Sequence, residues 1–115
     1  MSEVKTDKTA LIKRLMEIPG EIRHGEAVLI DLMYDAQAAK DRLTSKEAEL
    51  LLSGAIDGKN AEIRNAQMRE LTTTEREAVA AAERILALQR ANLTALQNEF
   101  RALRSVARLL KMEVE

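Results

Sequence analysis

Val79, Leu86, Leu93, Phe100 and Ala107 recur at intervals of seven, and Ala82, Gln89, Leu96, Leu103 and Leu110 fall between them. An apolar repeat of this period, sustained this long, marks a helix that packs along its length against another helix. Thr74-Glu75-Arg76-Glu77 stands in front of it as a capping box, in which the Thr74 hydroxyl accepts from the Glu77 amide. A helix is therefore predicted over 75–112. Ile85 and Val106 lie beside the stripe and widen it, which points to more than one partner helix.

The first half of the chain has a matching pattern. Ile22, Leu29, Ala36, Leu43 and Leu50 stand seven apart, with Leu32 and Ala39 in the companion row. This predicts a helix over 21–53, weakened at Gly25, Lys46 and Ser53. Thr44-Ser45-Lys46-Glu47 resembles a capping box, but the repeat continues through it and the helix is kept whole. At 1.5 Å per residue the two helices are roughly 50 and 55 Å long. Helices of matched length with a compact connector form an antiparallel hairpin. A shorter amphipathic helix is predicted over 6–18, with Leu11, Leu15 and Ile18 on one face and Ile12 and Met16 beside them. Pro19-Gly20 is read as its end, with this helix packed across one end of the hairpin.

Composition supports helix throughout, with one proline, four glycines and Tyr34 and Phe100 as the lone aromatics, both read as seam residues. The expected fold class is all-α: a single helical domain of residues 1–115, built on a coiled-coil-like hairpin of long helices. The expected seam sets Leu29, Ala36, Leu43 and Leu50 against Leu86, Leu93, Leu96, Phe100 and Leu103. A lone pair of helices leaves the outer edges of both stripes wet. The chain is therefore expected to pair with itself, as a dimer or higher oligomeric bundle, the alternative being a monomeric three- or four-helix domain.

Between the long helices, Gly54 and Gly58 suit positive φ. Asp57 or Asn60 caps a short connector helix over 60–71, whose apolar face is Ile56, Ile63, Ala66 and Leu71. Thr72-Thr73-Thr74 ends that helix and caps the next. The segment is read as a structured corner.

Tyr34-Asp35-Ala36-Gln37, followed by the block from Gly58-Lys59-Asn60 to Gln67 and a long helix, resembles a family of small uncharacterised helical proteins of tailed bacteriophages and prophages. In that family a Gly-Lys-Asn turn with a following Glu and Arg, here Gly58, Lys59, Asn60, Glu62 and Arg64, joins two long helices. Its genes often lie near those for single-strand DNA binding and strand annealing. The resemblance spans about residues 26–104, rests on the 58–67 block and leaves out the helix over 6–18. It implies a helical hairpin and a phage setting, and it implies no activity.

The chemistry of the side chains excludes more than it offers. With no cysteine, disulfides and thiolate metal sites are ruled out, which fits a reducing compartment. The N-terminal MSEVKTDKTALIKRLMEI has no apolar h-region, and no apolar run approaches the ~20 residues of a membrane span. A cytoplasmic protein is expected, in the bacterial host if phage encoded, with no membrane partner. Glu21-x-x-His24 has the spacing of di-iron bundles, but within its body the last helix supplies only Glu83 and Glu99, flanking its stripe, so no metal and no cofactor is expected. Gly58-Lys59-Asn60 lacks the Gly-x4-Gly-Lys-Ser/Thr of a P-loop, which leaves Lys59 a solvated turn residue. With one histidine and no strand-to-helix elbow, no catalytic residue is assigned and no enzyme is expected.

Nucleic acid is the more serious rival. Arg101, Arg104, Arg108 and Lys111 line one side of the last helix with no acid among them, and Lys5, Lys8, Lys13 and Arg14 add charge near the other terminus. Such an edge can follow a phosphate backbone. The plainer alternative is that it complements the negative end of the helix dipole and keeps the flank solvated. Scarce aromatics argue against base stacking, and the net charge is only −1. Two functional readings result. The first is a non-enzymatic oligomeric scaffold that presents surfaces to a protein partner, accessory to phage DNA replication or recombination. The second is a nucleic-acid-binding accessory protein using Arg101–Lys111, and a virion-assembly or secretion-type helical chaperone is a weaker third.

Overall fold

The computed structural model describes the backbone of residues 2–114 and the side chains of residues 7–111. It contains three helices: α1 (Ser2–Leu52), α2 (Ala61–Leu71) and α3 (Thr73–Val114). The chain divides into two compact units, one of Met1–Leu29 with Leu88–Glu115 and the other of Ile30–Ala87. Each unit takes one segment from α1 and one from α3.

The expected break after Ile18 does not occur, and α1 runs through Pro19. The separate helix over 6–18 and its packing across a hairpin end are thereby corrected. Proline in a helix interior removes the hydrogen bond to the carbonyl four residues back, here Leu15, and costs about 3 kcal/mol. Against that, Leu11, Leu15, Ile18, Ile22, Gly25 and Leu29 advance by alternating steps of four and three, one unbroken seam phase. Ile18 is fully buried, with Leu11, Leu15 and Ile22 half-buried. Complete burial of one such side chain is worth roughly 1.5–3 kcal/mol. Swinging the first turns away would forfeit several, so the helix continues. Arg14 also bonds Glu21 across the proline.

In the unit that holds both termini, the two helix segments run antiparallel. Arg14 meets Glu99, and further along α1 the Gly25 carbonyl accepts from Gln89 Nε2 at 3.1 Å. Among the described residues of this unit, Ile18, Gly25 and Leu93 are buried. Gly25 lets the helices close: a Cβ there would lie 3.2 Å from Leu93 Cδ1 and 3.5 Å from Gln89 Nε2. Phe100, Leu96 and Leu103 are half-buried along the same face of α3, and so is Leu29 on α1.

In the other unit the segments are again antiparallel, with Lys40–Glu83 at 3.2 Å and Glu47–Arg76 at 3.6 Å flanking the seam. Ala36 and Ala39 are buried, and Leu43, Leu50, Val79 and Leu86 half-buried. Tyr34, expected in the seam, stands off it at 72% exposure. It sits two residues before Ala36, and a helix turns 200° in two residues.

The corner is ordered by polar bonds. α1 ends in a Schellman motif, in which Gly54 takes φ 76° while Ala55 N–H donates to the Leu50 carbonyl at 3.2 Å and Gly54 N–H to that of Leu51 at 3.4 Å. Gly58, expected at positive φ, is not there; it is required for space, because a Cβ would lie 2.6 Å from Ile63 Cγ2 and 3.0 Å from the Arg64 nitrogen. Asn60 caps α2 by accepting from Ile63 N–H at 2.9 Å. The expected apolar face of α2 contributes little: none of its residues is buried, and the half-buried ones are Gln67 and Met68.

The expected capping box at Thr74 is replaced by a different junction. α3 begins at Thr73, and buried Thr72 joins the helices: its hydroxyl donates to the Met68 carbonyl at 2.7 Å and accepts from Arg76 Nε at 2.9 Å. The Thr73 hydroxyl also turns back, to the Glu70 carbonyl at 2.9 Å. The threonines therefore satisfy the open carbonyls of α2 before they serve α3.

Candidate functional site

Arg101, Arg104, Arg108 and Lys111 are all exposed, and none takes part in an ion pair among the described residues. Steps of three and four place them on one side of α3. Arg101, Arg104 and Arg108 gather with Ser105 around a surface hollow of about 70 Å³. The Arg104 guanidinium lies 5.7 Å from the centre of the Phe100 ring, which holds it down against the helix. Ser105 Oγ donates to the Arg101 carbonyl at 3.2 Å, so the hydroxyl is turned to the backbone.

Arg14, expected to add to the basic surface, does not. Its Nε and Nη2 each donate to Glu99 at 2.7 Å, and Nη1 bonds Glu21, with Glu17 at 3.6 Å. A planar guanidinium meets a carboxylate edge to edge, which makes this pair strong and directional. The hydrogen bond to Glu99 raises the Arg14 pKa further above its ordinary value, against a lowering by desolvation, with Glu21 adding to the rise. The same bond holds the Glu99 carboxyl below its ordinary value. Of the other basic residues near that terminus, Lys8 and Lys13 are exposed, and the Lys5 side chain lies outside the described residues.

The turn residues are occupied with one another. Gln67 accepts from Gly58 N–H and donates to Asp57 Oδ1, both at 2.8 Å, while Arg64 Nη1 donates to the Gly58 carbonyl at 3.1 Å. Asn60 holds the Ile63 amide, a donor that a phosphate at this helix start would need. Glu62 sits in the first turn of α2, where it favours the dipole, and Lys59 is exposed. Sequence reasoning reached Gly58 and Asn60 through turn and capping chemistry and Glu62 and Arg64 through the resemblance; it gave no role to Gln67, the hub of the corner.

An open groove of about 730 Å³ runs between the helix segments of the unit that holds both termini, walled by Glu17, Glu21 and His24 on one side and Gln89, Asn92 and Leu96 on the other. Glu21 is engaged by Arg14, and among the described residues no three His, Asp or Glu side chains converge as metal ligands.

The larger surprise is apolar. On α3, Ile85, Leu88, Val106 and Leu109 are 51%, 61%, 44% and 61% exposed. They fall on one side of the helix, away from both the seam and the arginines. The sequence signal was there in part: Ile85 and Val106 widen the stripe, and Leu88 and Leu109 follow each by three.

No helix among the described residues is long and apolar enough to cross a membrane. Comparison of the chain with protein-family models, curated proteins and solved structures finds no match.

Proposed function

We propose that this protein is a non-enzymatic, self-associating helical scaffold that acts by presenting helix faces to a protein partner. The observation that carries this reading is the exposed apolar row on α3, regular in spacing and separate from the seam that already holds α3 to α1. Large apolar side chains repeated at helical spacing in water mark a surface made to be covered. The resemblance around Gly58-Lys59-Asn60 sets the reading in a tailed phage or prophage, in the bacterial cytoplasm, accessory to DNA replication or recombination. Sedimentation equilibrium tests it: a mass of two or more chains at micromolar concentration is the expected result, and a monomer at all concentrations would overturn it.

A second reading, nucleic-acid binding along Arg101, Arg104, Arg108 and Lys111, is favoured by four exposed basic side chains on one side of α3, none of them ion-paired among the described residues. Fluorescence anisotropy of single-stranded and duplex oligonucleotides separates the two. Binding that weakens with salt and disappears in the Arg101→Glu/Arg104→Glu/Arg108→Glu variant supports the edge. No binding at low salt leaves the arginines as solvated flank.

A further inference from the structure

Of the four glycines, Gly58 alone follows an aspartate or an asparagine. An Asp-Gly step can rewrite its own backbone. The glycine nitrogen attacks the aspartate Cγ; the N–Cγ bond forms as the Cγ–OH bond breaks, and the amide proton leaves with that hydroxyl as water. The five-membered imide then takes a water back. Opening at the new N–Cγ bond restores aspartate. Opening at the old peptide bond leaves isoaspartate, with the main chain routed through the side chain. Mass is unchanged, and no oxidant or reductant enters. Glycine favours the step because it has no Cβ to restrict the backbone or block the approach.

From the geometry of the corner we infer that Asp57-Gly58 is a latent modification site, held closed by Gln67 and converted to isoaspartate when that side chain lets go. One amide holds both reacting groups: Gln67 Oε1 accepts from Gly58 N–H and Gln67 Nε2 donates to Asp57 Oδ1, both at 2.8 Å. Gly58 N–H can only donate, so the Gln67 oxygen must face it and the Gln67 nitrogen must face the carboxylate. The nucleophile thus keeps its proton in a hydrogen bond, and the electrophile is anchored by an oxygen to the same side chain. Ring closure needs both released. Arg64 Nη1 restrains the other side of the glycine, donating to its carbonyl at 3.1 Å, and bonds neither reacting group.

The lock is shallow. α2 has no buried residue, Asp57 is exposed, and Gly58 and Gln67 are half-buried. A segment fixed by solvent-exposed polar bonds opens locally, without global unfolding. The glycine is also hard to replace. A Cβ on it would lie 2.6 Å from Ile63 Cγ2 and 3.0 Å from Gln67 Oε1. The tight packing that demands glycine therefore keeps the reactive step in the chain. Isoaspartate adds one carbon to the main chain at this tight place, so conversion unseats Gly58 from Gln67 and the corner does not close again.

To test this, the full-length protein is kept warm at neutral pH for weeks, both folded and in urea, beside Gln67→Leu and Arg64→Ala variants of confirmed helix content. Trypsin releases Glu47–Lys59, in which electron-transfer fragmentation, and resistance to an aspartate-specific protease at residue 57, report isoaspartate. Two hydrogen bonds of ordinary net strength shift a population by roughly 5–30-fold, so the folded parent should isomerise that much more slowly than the chain in urea. Gln67→Leu should lose most of this protection, and Arg64→Ala should keep it. Equal rates for the parent folded and in urea would overturn the inference. So would a Gln67→Leu variant as slow as the parent, or an Arg64→Ala variant as fast as Gln67→Leu. Hydrogen exchange needs no variant: the Gly58 amide should exchange more slowly than that of Lys59 after correction for sequence, and equal exchange overturns the clamp.

Discussion

Leu93 and Gly25 form one contact, and the contact can be measured. Leu93 is 8% exposed, and the backbone of Gly25 gives it room, with a virtual Cβ 3.2 Å from Cδ1. Leu93→Ala removes three carbon groups at ~0.8 kcal/mol each, or about 2.4 kcal/mol of transfer free energy. The hole left behind adds a cavity term, because a glycine wall has no side chain to swing into it, and the total should reach about 3–4 kcal/mol. Gly25→Ala in the parent is a near balance. Helix propensity gains roughly 1 kcal/mol, while the new methyl presses the end of Leu93 by a few tenths of an ångström. In the Leu93→Ala background the pressure is gone and the methyl fills part of the hole. There it should stabilise by about 1.5–2 kcal/mol, and against the near balance in the parent the coupling is also about 1.5–2 kcal/mol. Urea unfolding followed at 222 nm, at fixed protein concentration, gives all four corners of the cycle. Additivity within ~0.3 kcal/mol would refute the shared contact.

Four other substitutions test the frame. Pro19→Ala restores the amide that α1 lacks opposite Leu15 and should stabilise by roughly 1–2 kcal/mol after the looser unfolded chain is counted; a lower melting temperature would mean that the seam phase does not run through residue 19. Glu99→Gln should lower the melting temperature at pH 7 and have little effect near ~pH 2, because a carboxyl whose folded pKa is depressed by Arg14 stabilises above its unfolded value of about 4.3 and loses that contribution as pH falls through the folded one. A gap that persists in acid would place the effect in packing. Gly58→Ala should destabilise by about 1–3 kcal/mol, since its Cβ meets Ile63 and a backbone nitrogen, whereas Gly20→Ala meets nothing within 4 Å and should stabilise by up to roughly 1 kcal/mol. Thermal melts that move in the same direction for both would contradict the geometry.

Periodicity alone was enough for the all-helical class and for the face of each long helix that turns inward, because burial follows a seven-residue count that any reader of the chain can make. A cap at Asp57 or Asn60, of which Asn60 is the one used, and Gly54 at a helix end were equally legible, since both depend on chemistry within a few residues. Pro19 was misread for the same reason: local rules price a proline by its own turn, and the apolar residues that outweigh it gain their value from α3, nearly eighty positions away at Glu99. Tyr34 and the threonine junction failed likewise.

What the sequence by itself determined is periodicity, and with it two helices that must lie side by side. Tertiary structure alone decided where charge is spent and where apolar surface is left over. Arg14 looks like part of a basic surface until Glu99 takes it, and Leu88 looks like one more leucine until the packed helices leave it in water. Pairing depends on distances across the fold, and those exist only once the helices have met.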